Sequence, residues 1–171
     1  MTRKAIIIGH NSENGGFYSE HLKSNEFTLY TNIYERLRKI GAVYFHNANI
    51  SSYKERMKHT ADRINKREYD VVLALHFNAF HNPDVGGCEA WYYGQNPFGR
   101  YMAQRFCNAT NELMGIRNRG AKSMRSPEQR GYWEVFYPRY TTVLLEPFFG
   151  SNIEDCERYN ADKLIHILKN L

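Results

Sequence analysis

Apolar residues fall into two alternating patterns along the chain. Short continuous runs at about 4–9, at Val71–His76 and at 141–146 have the length and β-branched content of strands buried on both faces. Between them the spacing turns helical. Phe27, Leu29, Tyr30, Ile33, Leu37 and Ile40 predict a helix that opens at Asn25-Glu26 and stops at Gly41, and Tyr101, Met102, Phe106 and Leu113 predict another begun by Pro97-Phe98. Ala42 to Phe45 reads as a short strand, Tyr53 to Lys66 as a polar amphipathic helix, and Gly86-Gly87 announces a strand over Cys88 to Tyr93. Leu164, Ile165 and Leu168 mark a terminal helix within 153–171. Residues 124–139 form the one long stretch without a period and are expected to be a flexible rim. Strands alternating with helices predict an α/β fold: one domain over residues 1–171, with a twisted, mostly parallel or mixed sheet of about five to six strands and helices on both faces.

Three of these strands end on an ionisable group. His10 follows the first, His76 ends the run Val71-Val72-Leu73-Ala74-Leu75, and Glu146 ends Val143-Leu144-Leu145. Sites in open α/β sheets gather outside the carboxyl ends of strands, so topology alone predicts that the three lie near one edge. Glu26 is a fourth candidate, in the first helical turn after the loop that leaves His10; the helix dipole would favour a carboxylate there even without a metal. Two imidazoles and a carboxylate suit a catalytic zinc that keeps a fourth position for water. The plainer alternative for each histidine is a hydrogen bond to a loop carbonyl. Glu146, set between Leu145 and Pro147-Phe148, needs a cation, a proton-handling role, or a salt bridge to Arg119 or Arg139.

Composition narrows the classes. At 171 residues the chain can bury a substantial core, and no stretch approaches the roughly 20 apolar residues of a membrane span. The amino-terminal apolar run is too brief for a signal peptide, so synthesis in the cytoplasm is expected. Three cysteines, Cys88, Cys107 and Cys156, without CxxC spacing are expected to be free thiols. The net charge of +5 is spread over Lys54–Lys66, Arg117–Lys122 and Arg125–Arg139; it suits polyanions such as wall polymers and does not require nucleic acid.

Ile8-Gly9-His10, Asn25-Glu26, Leu75-His76-Phe77-Asn78-Ala79, Gly87-Cys88-Glu89-Ala90-Trp91-Tyr92-Tyr93, Asn118-Arg119-Gly120-Ala121-Lys122 and Leu144-Leu145-Glu146-Pro147-Phe148-Phe149-Gly150-Ser151-Asn152 run in order across nearly the whole chain. In these pieces the chain resembles the zinc-dependent N-acetylmuramoyl-L-alanine amidases of the amidase-3 type, most closely their phage endolysin members. The resemblance implies that His10, Glu26 and His76 bind one Zn2+ and that Glu146 is the catalytic carboxylate, with Glu20 as a rival to Glu26. The glycine-rich tract usual after the first histidine is here Asn11-Ser12-Glu13-Asn14-Gly15-Gly16. Arg119 is the first choice for stem-peptide carboxylates, Asn78 for orienting His76 or its loop, and Trp91, Tyr92 and Tyr93 for a sugar groove or core packing. The implied activity is hydrolysis of the bond between N-acetylmuramic acid and L-alanine in peptidoglycan by a monomer. The implied setting is host lysis, with a holin-type protein providing release and no separate wall-binding domain. A zinc carboxypeptidase on the stem peptide, or a non-enzymatic wall- or nucleic-acid-binding module, are the other readings.

Overall fold

The structure, a computed structural model, describes residues 2–171. In chain order the elements are β1 (Lys4–Ile8), β2 (Tyr18–Ser19), β3 (Ser24–Asn25), α1 (Glu26–Thr31), α2 (Tyr34–Leu37), β4 (Ala42–Phe45), α3 (Tyr53–Ile64), β5 (Val71–Leu75), β6 (Cys88–Tyr93), α4 (Pro97–Met114), β7 (Asn118–Met124), α5 (Tyr132–Phe136), β8 (Thr142–Glu146), α6 (Ile153–Arg158) and α7 (Ala161–Asn170). Six strands form one mixed sheet in the order β4-β1-β5-β8-β6-β7, and β2 pairs with β3 in a separate ribbon. The first four run parallel, whereas β6 is antiparallel to β8 and parallel to β7. Register then fixes the site: Ile8 lies opposite Leu75 and Leu75 opposite Leu145, so His10, His76 and Glu146 leave the sheet at one level. Because β6 is reversed, its beginning reaches that same edge, with Glu89 opposite Glu146.

Both faces of the sheet are covered, which is why β1, β5 and β8 read as unbroken apolar runs. Ile6, Ile8, Leu73, Leu75, Val143 and Leu145 pack under α1, α2, α4 and α7, with Tyr30, Leu37, Phe106 and Leu164 among the residues they meet. Ala5, Ile7, Val72, Ala74 and Leu144 face the other way, toward Ile64 of α3 and Tyr132 and Val135 of α5. Cys88, Cys107 and Cys156 are free, buried thiols, as their spacing predicts.

Three expectations about elements are corrected. The helix expected over 27–40 is two short helices, because Ile33 leaves helical geometry (φ −107°, ψ 15°) and its N–H turns to the Tyr30 carbonyl three residues back at 3.2 Å. The terminal helix is likewise divided at extended Tyr159, after which Asn160 caps α7 by accepting from Lys163 N–H. Residues 124–139 are not wholly a loop. They contain α5, which starts at Gly131 in left-handed geometry (φ 85°) and packs so closely that a Cβ there would lie 2.6 Å from Leu144.

Candidate active site

His10, Glu26 and His76 converge at the edge where β1 and β5 end. His10 has a left-handed backbone (φ 63°) that bends the chain away from β1, and the Asn11 carboxamide then accepts from Glu13 and Asn14 N–H groups, shaping the loop that follows. Glu26 opens α1 behind its N-cap, Asn25, whose side chain accepts from Thr28 N–H. It is 5% exposed, and its two oxygens bridge the histidines: Oε1 lies 3.2 Å from His10 Nε2, and Oε2 lies 3.2 Å from His76 Nδ1. Backbone N–H groups of Phe17 and Phe77 donate to the same two oxygens at 3.1 Å. Burial pushes the Glu26 carboxyl up, but hydrogen bonds and charge from His10 and His76 more than offset it and hold the group at about 2. One donor atom from each of the three residues lies within 4.8 Å of the others, a spacing that could hold one metal ion. Two glycines make the room: a Cβ on Gly9 would fall 2.4 Å from the His76 ring, and one on Gly16 would fall 2.6 Å from both Glu26 Oε1 and His10.

Behind His76 lies a second carboxylate that sequence reasoning missed. Glu134, from α5, places Oε2 2.9 Å from His76 Nε2 and Oε1 2.9 Å from His46 Nε2. Burial pushes His76 down, yet carboxylates at both ring nitrogens raise it well above the usual imidazole range; Glu134 is correspondingly depressed by its two histidines against its own burial. Tyr30 Oη donates to the His76 carbonyl at 2.6 Å, tying the backbone of the strand end to α1.

The other half of the edge belongs to Glu146. Its Oε2 accepts from Trp91 Nε1 at 2.9 Å and Asn78 Nδ2 at 3.2 Å, and the same two donors reach Glu89 Oε1 at 3.3 and 2.8 Å. Two carboxyl groups thus share two donors. Burial first and the Glu89 charge second push Glu146 up to about 8. Glu89 itself is 3% exposed and held ionised by Lys122 Nζ at 2.5 Å and Arg119 Nε at 2.7 Å, which overcome its burial. The paired environments keep one carboxyl charged and leave its neighbour able to carry a proton near neutral pH.

A cavity of about 750 Å³ opens over both halves, lined by His10, Glu26, His76, Asn78, Trp91 and Glu146 among others. Glu20 is remote from the cluster in hydrogen bonding: its exposed carboxylate pairs with Lys23. Arg119 is engaged by Glu89 and lies over the Phe149 ring, and it does not line the cavity; Arg56 and Arg130 do. Neither expected partner reaches Glu146, since Arg139 is turned to the Arg67 carbonyl. Of the three aromatics of β6, Trp91 faces Glu146, Tyr92 is buried and Tyr93 is exposed.

An open α/β sheet bearing a two-imidazole, one-carboxylate donor set, with a carboxyl able to take up and give back a proton on the same edge, is an arrangement suited to a metal-assisted hydrolase. The family model described as N-acetylmuramoyl-L-alanine amidase (Amidase_3) matches residues 5–169, and the chain belongs to this family. No curated protein matches the chain. Among solved structures it is similar to the catalytic domain of the CD27L endolysin targeting Clostridia difficile, at 23% identity over 98% of this chain and 94% of that one, TM-score 0.77. It is also similar to the CwlD amidase from Clostridioides difficile in complex with the GerS lipoprotein, at 14% identity over 99% and 95%, TM-score 0.78. A third likeness is to an N-acetylmuramoyl-L-alanine amidase from Clostridium difficile 630, at 18% identity over 99% and 94%, TM-score 0.77. At these identities the structures share the fold. No helix among the described residues is long and apolar enough to cross a membrane.

Proposed function

We propose that this chain is a zinc-dependent hydrolase of the amide bond joining N-acetylmuramic acid to the L-alanine of the stem peptide, acting as an endolysin. The observation that carries the reading is the His10–Glu26–His76 cluster with Glu146 on the same sheet edge, in a chain of the amidase family. The donor set fits zinc: two imidazole nitrogens and a carboxylate already held ionised, with Gly9 and Gly16 keeping the space around them clear. Zinc bound there supplies Lewis acidity toward the amide carbonyl and lowers the pKa of water.

The chain's own groups do the rest. Glu146 takes the proton of the attacking water and returns it to the departing amine of L-alanine, for which a carboxyl that titrates near neutrality is suited. Asn78 and Trp91 hold the acting oxygen by hydrogen bonds, and Glu89 keeps its proton affinity high. Arg119 serves the site through Glu89. Arg56 and Arg130 on the cavity wall take the stem-peptide carboxylates.

Mass spectrometry of digested peptidoglycan tests bond and metal together. New L-alanine amino termini are expected, lost with a chelator and restored by zinc, and Glu146→Ala should lower the rate about 10²- to 10⁴-fold. Wall lysis that survives chelation would overturn the metal reading. A second reading, a zinc carboxypeptidase, draws on the same arginines as a clamp for a terminal carboxylate; release of a single terminal amino acid would select it. The endolysin role is supported by the likeness to the CD27L catalytic domain. It predicts lysis of the host from within only when a holin-type protein is co-expressed.

A further inference from the structure

A line of buried polar groups continues past His76 along the wall of the same cavity, and the hydrolytic reading leaves it without a task. His76 Nε2 meets Glu134 Oε2 at 2.9 Å, Glu134 Oε1 meets His46 Nε2 at 2.9 Å, and His46 Nδ1 meets Thr60 Oγ1 at 2.8 Å. Thr60 Oγ1 also lies 3.1 Å from the Arg56 carbonyl; with its proton given to His46 Nδ1, the imidazole keeps Nε2–H to donate to the Glu134 carboxylate. The groups come from three separate places: α5, the residue after β4, and α3. Glu134 is 3% exposed, and a carboxylate buried between two imidazoles is a costly way to pack helices against a sheet when apolar side chains would do as well.

We propose that Glu134 is a positioning residue for the candidate metal site. By accepting from His76 Nε2–H it turns Nδ1 toward Glu26 and keeps that nitrogen as the metal-binding atom, while His46 anchors Glu134. The inference rests on the zinc reading given above. A ring free to turn about its Cβ–Cγ bond could offer either nitrogen; a carboxylate fixed on one side removes the choice and raises the basicity of the other nitrogen. The Tyr30 hydroxyl on the His76 carbonyl fixes the backbone, so both ends of the residue are held.

Zinc affinity of the full chain, by competition with a chromophoric chelator, tests this together with ring-nitrogen shifts of the ¹⁵N-histidine-labelled, zinc-loaded protein. Metal at Nδ1 and a proton at Nε2 of His76 are expected; metal at Nε2 overturns the proposal. Glu134→Ala should weaken zinc binding about 10- to 100-fold, and Glu134→Gln, which keeps an acceptor without the charge, about 3- to 10-fold. Unchanged affinity in folded Glu134→Ala overturns it, and if that variant does not fold, Glu134→Gln decides by the same criterion. A merely structural pair would lower the melting temperature and leave the zinc constant and the nitrogen assignment unmoved. His76→Ala separates the two failures. Unchanged zinc binding there removes the zinc reading itself, whereas loss there beside unchanged binding in Glu134→Ala removes only this inference.

Discussion

Replacing Glu89 by glutamine tests how the proton affinity of Glu146 is set. The variant keeps the size of the side chain and an oxygen for the Asn78 and Trp91 donors, and removes one negative charge beside Glu146. Taking about 4 Å between the carboxyl oxygens and an effective dielectric of about 20, that charge contributes ~4 kcal/mol, or about 3 pKa units. Arg119 and Lys122 neutralise part of it and the open cavity screens more, so a fall of about one to two units is expected, from about 8 in the parent. The assay is a carboxyl ¹³C titration of glutamate-labelled protein, with Glu146→Gln to assign the resonance. In hydrolysis, Glu146 becomes ionised at lower pH, so the acid limb of kcat/KM should move down by the same amount while the plateau drops, because the base is weaker. Two cations lose their buried partner, costing about 3 kcal/mol or less since both are partly exposed, and a thermal melt checks that the fold persists. A Glu146 midpoint that stays put in the folded variant would refute the reasoning and leave burial alone as the cause.

Three further outcomes are expected. Glu26 is depressed to about 2 from an unfolded value of 4.5, so the stability it contributes, about 3 kcal/mol, is fully present above pH 4.5 and is lost as pH falls through 2. Urea melts of the parent and Glu26→Gln should therefore converge on acidification, and curves that stay parallel would contradict this. Gly9→Ala sets a methyl 2.4 Å from the His76 ring and should weaken zinc binding by about tenfold or more in a chelator competition; wild-type affinity would mean that the ring does not sit there in the loaded protein. Glu20→Ala should leave zinc content intact and stability within about 0.5 kcal/mol, because its carboxylate meets only Lys23 at the surface; loss of zinc would restore Glu20 as the ligand.

The parts of the fold legible in the sequence are those whose burial is uniform. Ile6–Ile8, Val71–Leu75 and Val143–Leu145 are covered on both faces, so their strands and the ionisable groups at their ends stood out. In contrast, β7 is an edge strand with six of its seven residues only partly buried, and its Arg119 and Lys122 read as a basic loop because their partner, Glu89, lies about thirty residues away on another strand. Glu134 and His46 escaped for a related reason. Glu134 follows Trp133 in the short α5 and His46 follows Phe45 just after β4, and nothing local marks them; only the fold brings Glu134 to His76 and His46 to Glu134. Helix breaks at Asn32 and Tyr159 were hidden because apolar spacing continues across them while the backbone does not.

The reversal of β6 divides the edge along β8. The candidate metal donors come from the ends of β1 and β5 and the start of α1, whereas Glu89, Trp91, Arg119 and Lys122, which tune Glu146, all lie in the single contiguous stretch 86–124. That stretch is a cassette: β6 joins the sheet along β8, α4 crosses over, and β7 adds the outer edge strand beside β6. Exchanging it between relatives would transplant a different acid–base environment without touching the donor set, so the two halves of such a site can diverge at different rates.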